Sequence, residues 1–263
     1  MWQNRAAAPA SAVRRNRRDG AVSNGAHLIA QRILEREFVN PLFADRHLTI
    51  EELRRGVGLP WLFVIDDFLV EPETLRQRAL ELTYDRTGHF PGRNSAEKIK
   101  LTGLTRMISE IVRERLHTPW SADYAHQSCR LALESDDEPG RVHIDTSHWT
   151  GVLSLSRNED SSGGTEFFRH RRTGLDRFPL TPEELAAAGY DSYDALDADI
   201  LQKDALDPTK WERLLSVPMR YNRLILLQPH YWHTAGPGFG TGVENGRLVY
   251  LMFFNRVPEE RAA

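Results

Sequence analysis

Apolar positions along the chain follow two different periods, and the change falls near Gln127. Before it, the spacing is mostly helical. Leu28, Ile29, Ile33, Leu34 and Phe38 predict an amphipathic helix over residues 27–38. The run 61–69 reads as a buried strand. Pro72 then stands where proline opens a helix, which the spacing carries to about Leu82. Ile99, Leu104, Ile108, Ile111 and Leu116 predict a third helix over 98–117.

After Gln127, short runs rich in β-formers alternate with Gly, Pro, Asp and Ser. They cover 127–133, 141–145, 149–155, 165–168, 223–227 and 247–254. Strands this short and this dense predict a mainly β fold with flanking helices, a barrel or double-sheet jelly roll. A helical excursion interrupts them at roughly 170–217. It opens on Thr181-Pro-Glu-Glu, a capping box, and continues through 194–203 and 207–215.

The chain has 263 residues, which suits one sizeable core. The expected organisation is a basic tail over 1–25 and a single domain over 26–263. That domain would have a helical part to 120, a β core over about 121–257 and the 170–217 insertion within the core. The tail carries Arg5, Arg14, Arg15, Arg17 and Arg18, with no acid before Asp19. It reads as a disordered tail rather than a targeting peptide. A net charge of −3 argues against a nucleic-acid partner. No apolar run reaches the roughly 18–20 residues of a membrane span. A single cysteine, Cys129, allows no intrachain disulfide and fits a cytoplasmic location. Its neighbours read as a strand entering a core, not as a nucleophile's setting.

The chemistry begins at Arg141-Val-His-Ile-Asp. Residues two apart on a strand share a face, so His143 and Asp145 project side by side. They make two-thirds of a triad of two histidines and a carboxylate, which on Fe(II) leaves positions open for oxygen and a chelating cosubstrate. The chain supplies a further histidine after the 223–227 strand, at His230 or at His233, the latter 90 residues beyond His143 (233 − 143). Arg247 then opens an otherwise apolar strand. A guanidinium there needs an anion, from a salt bridge or from a bound carboxylate.

His143-x-Asp145, Gly163-Gly-Thr-Glu-Phe-Phe, His233 and Arg247 fourteen residues later (247 − 233) together resemble the Fe(II)/2-oxoglutarate-dependent oxygenases of the double-stranded β-helix type. The Gly-Gly strand is similar to that of the prolyl-4-hydroxylase-like branch, and bacterial 2-oxoglutarate oxygenase-like proteins resemble the chain over about 61–257. The segment Trp232-His233-Thr234 looks more like the family's ligand segment than His230 does. The resemblance implies that His143, Asp145 and His233 bind Fe(II) and that Arg247 binds the distal carboxylate of 2-oxoglutarate, with O2 as co-reactant. The sequence departs from the commonest pattern at Val249, where many members carry Ser or Thr to assist the arginine. A second anchor must then come from elsewhere, with Tyr124, Gln127, Arg130 and Thr150 as candidates.

The implied activity is oxidation, most simply hydroxylation, of an unactivated C–H bond in a small molecule such as an amino acid or natural-product intermediate. The insertion reads as a lid that would choose the substrate, with Trp211 and Tyr221 at its end as further contacts; Arg169, Arg171 and Arg172 at its start suggest either a substrate carboxylate or phosphate or a solvated basic surface. Glu166 either points inward or lies on a solvent face. Two other classes remain open on the residues: a cupin-like zinc or manganese hydrolase or isomerase, and a non-catalytic barrel that binds a small molecule.

Overall fold

The computed structural model describes residues 61–88, 90–118, 125–136 and 140–258. The expected 27–38 helix, the basic tail and Tyr124 lie outside them.

Two antiparallel sheets make the framework, and the fold is the expected mainly β jelly roll with flanking helices. The larger sheet contains β1 (Leu62–Ile65), β2 (Tyr84–Gly88), β3 (Phe90–Lys98), β5 (Ser128–Ala132), β6 (Trp149–Ser154), β9 (Leu224–Leu227) and β11 (Arg247–Arg256). Its order is β1-β9-β6-β11-β5-β3-β2, and the two-residue β4 (Leu116–His117) also pairs with β11. The smaller sheet runs β10-β7-β8, from β7 (Gly164–His170), β8 (Trp211–Pro218) and β10 (His233–Ala235).

Strand alternation assigns the two faces of the larger sheet. On β11, Leu248, Tyr250, Met252 and Phe254 are buried in the main core. Two helices cover that face: α1 (Pro72–Leu80) through Leu75 and Ala79, and α2 (Leu104–Val112) through Leu104, Met107, Ile108, Ile111 and Val112. The alternate residues of β11, Arg247, Val249, Leu251 and Phe253, line a cavity on the other face, toward the smaller sheet.

The third helix is shorter than its apolar spacing predicts. Strand β3 takes the chain to Lys98, and Gly103 and Arg113 bound α2 with left-handed φ values of 83° and 56°. The β2–β3 hairpin was not expected. Residues 141–145 form no strand: only His143 pairs, in an isolated bridge with His233. The helical excursion also ends earlier than 217. It contains α3 (Pro182–Ala187), α4 (Tyr193–Asp197) and a π turn at Ala198–Gln202. Asp207 then caps a single 3-10 turn, Pro208–Lys210, and the expected 207–215 helix is replaced by β8, which pairs with β7 along its length. A core of its own holds the insertion: Leu185, Leu196, Ile200, Leu201 and Trp211 pack with Val142 and Trp232.

Candidate metal centre and its cavity

The two histidines are placed by one short bridge. The His143 N–H donates to the His233 carbonyl at 2.9 Å, and the His233 N–H donates back at 3.2 Å. Each ring is then held in the same way. Nδ1 of His143 lies 3.0 Å from the Arg141 carbonyl, and Nδ1 of His233 lies 2.8 Å from the Tyr231 carbonyl. A carbonyl only accepts, so the proton sits on Nδ1 and Nε2 keeps its lone pair. Both lone pairs face Asp145: Nε2 of His143 is 3.7 Å from Oδ1, and Nε2 of His233 is 3.8 Å from Oδ2.

His233 is 5 % exposed. Burial, with the His143 ring beside it, holds its imidazole well below the ordinary value and therefore neutral. The Asp145 carboxylate is oriented in turn. Thr150 donates its hydroxyl to Oδ2 at 2.7 Å, and Ser147 lies 2.9 Å from the same hydroxyl. Among the described residues, the His143, Asp145 and His233 ligand atoms all fall within 4.8 Å of one another. Two imidazoles and one carboxylate are a donor set that suits a divalent transition metal.

The triad opens into a cavity of about 540 Å³, counting space continuous with solvent. Arg130, Thr150, Arg247 and Val249 line it, together with Val152, Leu227, Leu251 and Phe253. Arg247 is 4 % exposed, and its Nε has no hydrogen-bond partner among the described residues. Burial pushes its pKa down to about 10, still charged at neutral pH. Arg130 is likewise lowered by burial to about 10; its Nε donates to Asn94 Oδ1 at 2.7 Å, and its guanidinium lies 3.6 Å above the Phe90 ring.

The other sequence candidates fall elsewhere. Gln127 turns away, its amide reaching the Leu101 carbonyl at 3.5 Å. His230 is outside the triad, its pKa lowered to about 4 by burial and the neighbouring Arg177. His148 pairs with Glu114 at 2.6 Å, and Glu166 pairs with Arg213 at 2.7 Å. The insertion arginines are engaged within the protein: Arg169 with Glu212, Arg171 with the Trp211 carbonyl, Arg172 with Asp199. Trp211 is core, and Tyr221 donates to Glu73. None of these lines the cavity. The Cys129 thiol is fully buried and raised to about 12, which removes it as a nucleophile. No described helix is long and apolar enough to cross a membrane.

Sequence reasoning missed Asn94 and Ser154, which stand across the ladder from the cavity-lining Arg130 and Val249, since both acquire these neighbours through strand pairing rather than through any motif.

No curated protein matches the sequence. Similar solved structures include an oxidoreductase of the 2OG-Fe(II) oxygenase family from Burkholderia pseudomallei, at 11 % identity and a TM-score of 0.43 over 80 % of this chain and 91 % of that one. The non-heme alpha-ketoglutarate-dependent carbocyclase SnoK from nogalamycin biosynthesis is 15 % identical, at 0.43 over 80 % and 85 %. The non-heme iron oxygenase OrfP in complex with Fe is 13 % identical, at 0.34 over 89 % and 91 %. By sequence, over residues 47–254, the chain belongs to a family described as a family of unknown function (DUF6445).

Proposed function

We propose that the protein is an Fe(II)- and 2-oxoglutarate-dependent oxygenase that oxidises a C–H bond of a small molecule, most simply by hydroxylation. One observation carries this reading. Two Nδ1-anchored histidines and a hydrogen-bonded aspartate converge in a cavity that also contains a buried arginine whose Nε has no hydrogen-bond partner among the described residues. His143, Asp145 and His233 would hold Fe(II), and Arg247 would take the distal carboxylate of 2-oxoglutarate. Bound together with O2, these groups supply oxidation of an unactivated C–H bond, with succinate and carbon dioxide as co-products.

The chain's own residues do the rest. The Arg141 and Tyr231 carbonyls fix the tautomers of the ligand histidines. Thr150 aims the carboxylate. Val152, Leu227, Leu251 and Phe253 give the cavity an apolar wall that limits water and suits a carbon skeleton.

Anaerobic addition of Fe(II) and 2-oxoglutarate is expected to produce a visible metal-to-ketoacid charge-transfer band. His143→Ala and Asp145→Ala are each expected to remove it and to cut succinate formation by about 100-fold or more, beyond the loss typical of outer-shell changes. A folded protein that shows no band and retains zinc tightly would overturn the proposal in favour of a hydrolytic centre.

A further inference from the structure

Strand register places an unusual set of groups around Val249. Across the ladder from it on one side is Arg130 of β5, and on the other is Ser154 of β6. Directly opposed residues share a face, so Arg130, Val249 and Ser154 form one row on the cavity side of the sheet. Asn94 of β3 extends that row, opposite Arg130. Arg247, two residues before Val249, stands on the same face.

Several donors in this row are left unpaired. The Ser154 hydroxyl and the Arg247 Nε are both buried with no hydrogen-bond partner among the described residues. Arg130 uses its Nε on Asn94, and no hydrogen bond from its two terminal amino groups is found among the described residues. Leaving buried donors unpaired is costly, and the cost is heaviest for charged ones. Two guanidinium groups and a hydroxyl ringing one apolar side chain can be satisfied together by a single carboxylate, which accepts several hydrogen bonds at once.

We propose that Arg130 and Ser154 complete a three-point carboxylate site with Arg247, taking over across the strands the assistance that a hydroxyl at position 249 would otherwise give. Resting on the oxygenase reading above, the inference makes Arg130 a specificity determinant. It reads the far carboxylate of a dicarboxylic keto acid and discriminates against monocarboxylic ones. Asn94 is a positioning residue: by accepting from Nε it leaves the terminal amino groups of Arg130 free for the ligand.

Calorimetric titration of the Mn(II)-loaded full chain with 2-oxoglutarate and with pyruvate tests this. Arg130→Gln is expected to weaken 2-oxoglutarate binding about 10- to 100-fold, and Ser154→Ala about 3- to 10-fold. With Mn(II) held saturating, both should leave pyruvate affinity within about twofold, since pyruvate has no far carboxylate to lose. Arg130→Lys, which keeps the charge but not the fork, should fall between wild type and Arg130→Gln and guards against a folding artefact. If both variants bind 2-oxoglutarate as wild type does, the inference fails while the oxygenase reading stands. If pyruvate weakens as much as 2-oxoglutarate, Arg130 reads something other than the far carboxylate and the inference also fails. A wild-type protein that binds Mn(II) but no 2-oxoglutarate overturns the oxygenase reading and this inference with it.

Discussion

Thr150 shows how much of a candidate metal site can lie in a residue outside the ligand triad. Its hydroxyl donates to Asp145 Oδ2, and Ser147 anchors that hydroxyl from behind. Without it, the carboxylate would keep its charge but lose its aim. Thr150→Val is therefore expected to weaken Mn(II) or Fe(II) affinity about 10- to 100-fold while the melting temperature moves little. Titration of the metal-free variant checks this, and unchanged affinity would mean that Asp145 is held by other contacts. The same residue marks a limit of reading from sequence. Thr150 stood among the candidate cosubstrate anchors because of its place after the ligands; its bond to Asp145 depends on how the chain folds back between residues 145 and 150. His143 and Asp145 were legible through their two-residue spacing even though residues 141–145 form no strand. One bridging pair suffices to turn both side chains the same way.

At the scale of elements, the Gly163-Gly164 pair has a physical reason. The backbone of Gly164 is sandwiched: its carbonyl accepts from the Gly236 N–H at 2.6 Å, and a Cβ on it would overlap the Val217 carbonyl of β8. Gly236, in the turn after the His233 strand, would likewise press a Cβ onto the Gly164 backbone. Two glycines thus let β7 approach both β8 and the ligand-bearing segment. Gly164→Ala is expected to cost about 1–3 kcal/mol or more through overpacking, visible as a lowered denaturation midpoint. A midpoint equal to wild type would mean the strands can part without penalty. Strands β9 and β11 were legible because they carry continuous apolar runs. The β2–β3 hairpin was not, because Tyr84-Asp-Arg-Thr-Gly has no buried face to declare itself. The third helix was over-read because apolar spacing continues past both of its left-handed ends. Just before β8, Asp207-Pro208 announces a helix that lasts one turn. The β7 edge then recruits the following residues into the sheet, and such a tertiary partner is invisible to local pattern.

For the whole molecule, the question is whether the helical insertion is a separate lid. Its core argues for integration: Val142 and Trp232, the residues immediately before the two ligand histidines, pack into it with Leu196. Leu196 is 0 % exposed. Leu196→Ala is expected to cost about 2–5 kcal/mol and also to weaken metal binding, since the void forms behind both ligand segments. Loss of stability with metal affinity unmoved would show the insertion to be energetically separate. The insertion's arginines, which from sequence looked available to a substrate, are spent on tying it down.

The bridge between His143 and His233 has a consequence for the life of the protein. The two segments hold each other by their own backbone hydrogen bonds, and each imidazole leans on a carbonyl two residues before it. None of these bonds involves an ion. The cradle is therefore a product of the fold's own hydrogen bonds, and a metal held in it would be a replaceable part. On the proposed reading, a molecule stripped of its metal by a chelator would keep its shape and take metal up again in place, so its supply of activity would be set by metal availability rather than by new synthesis.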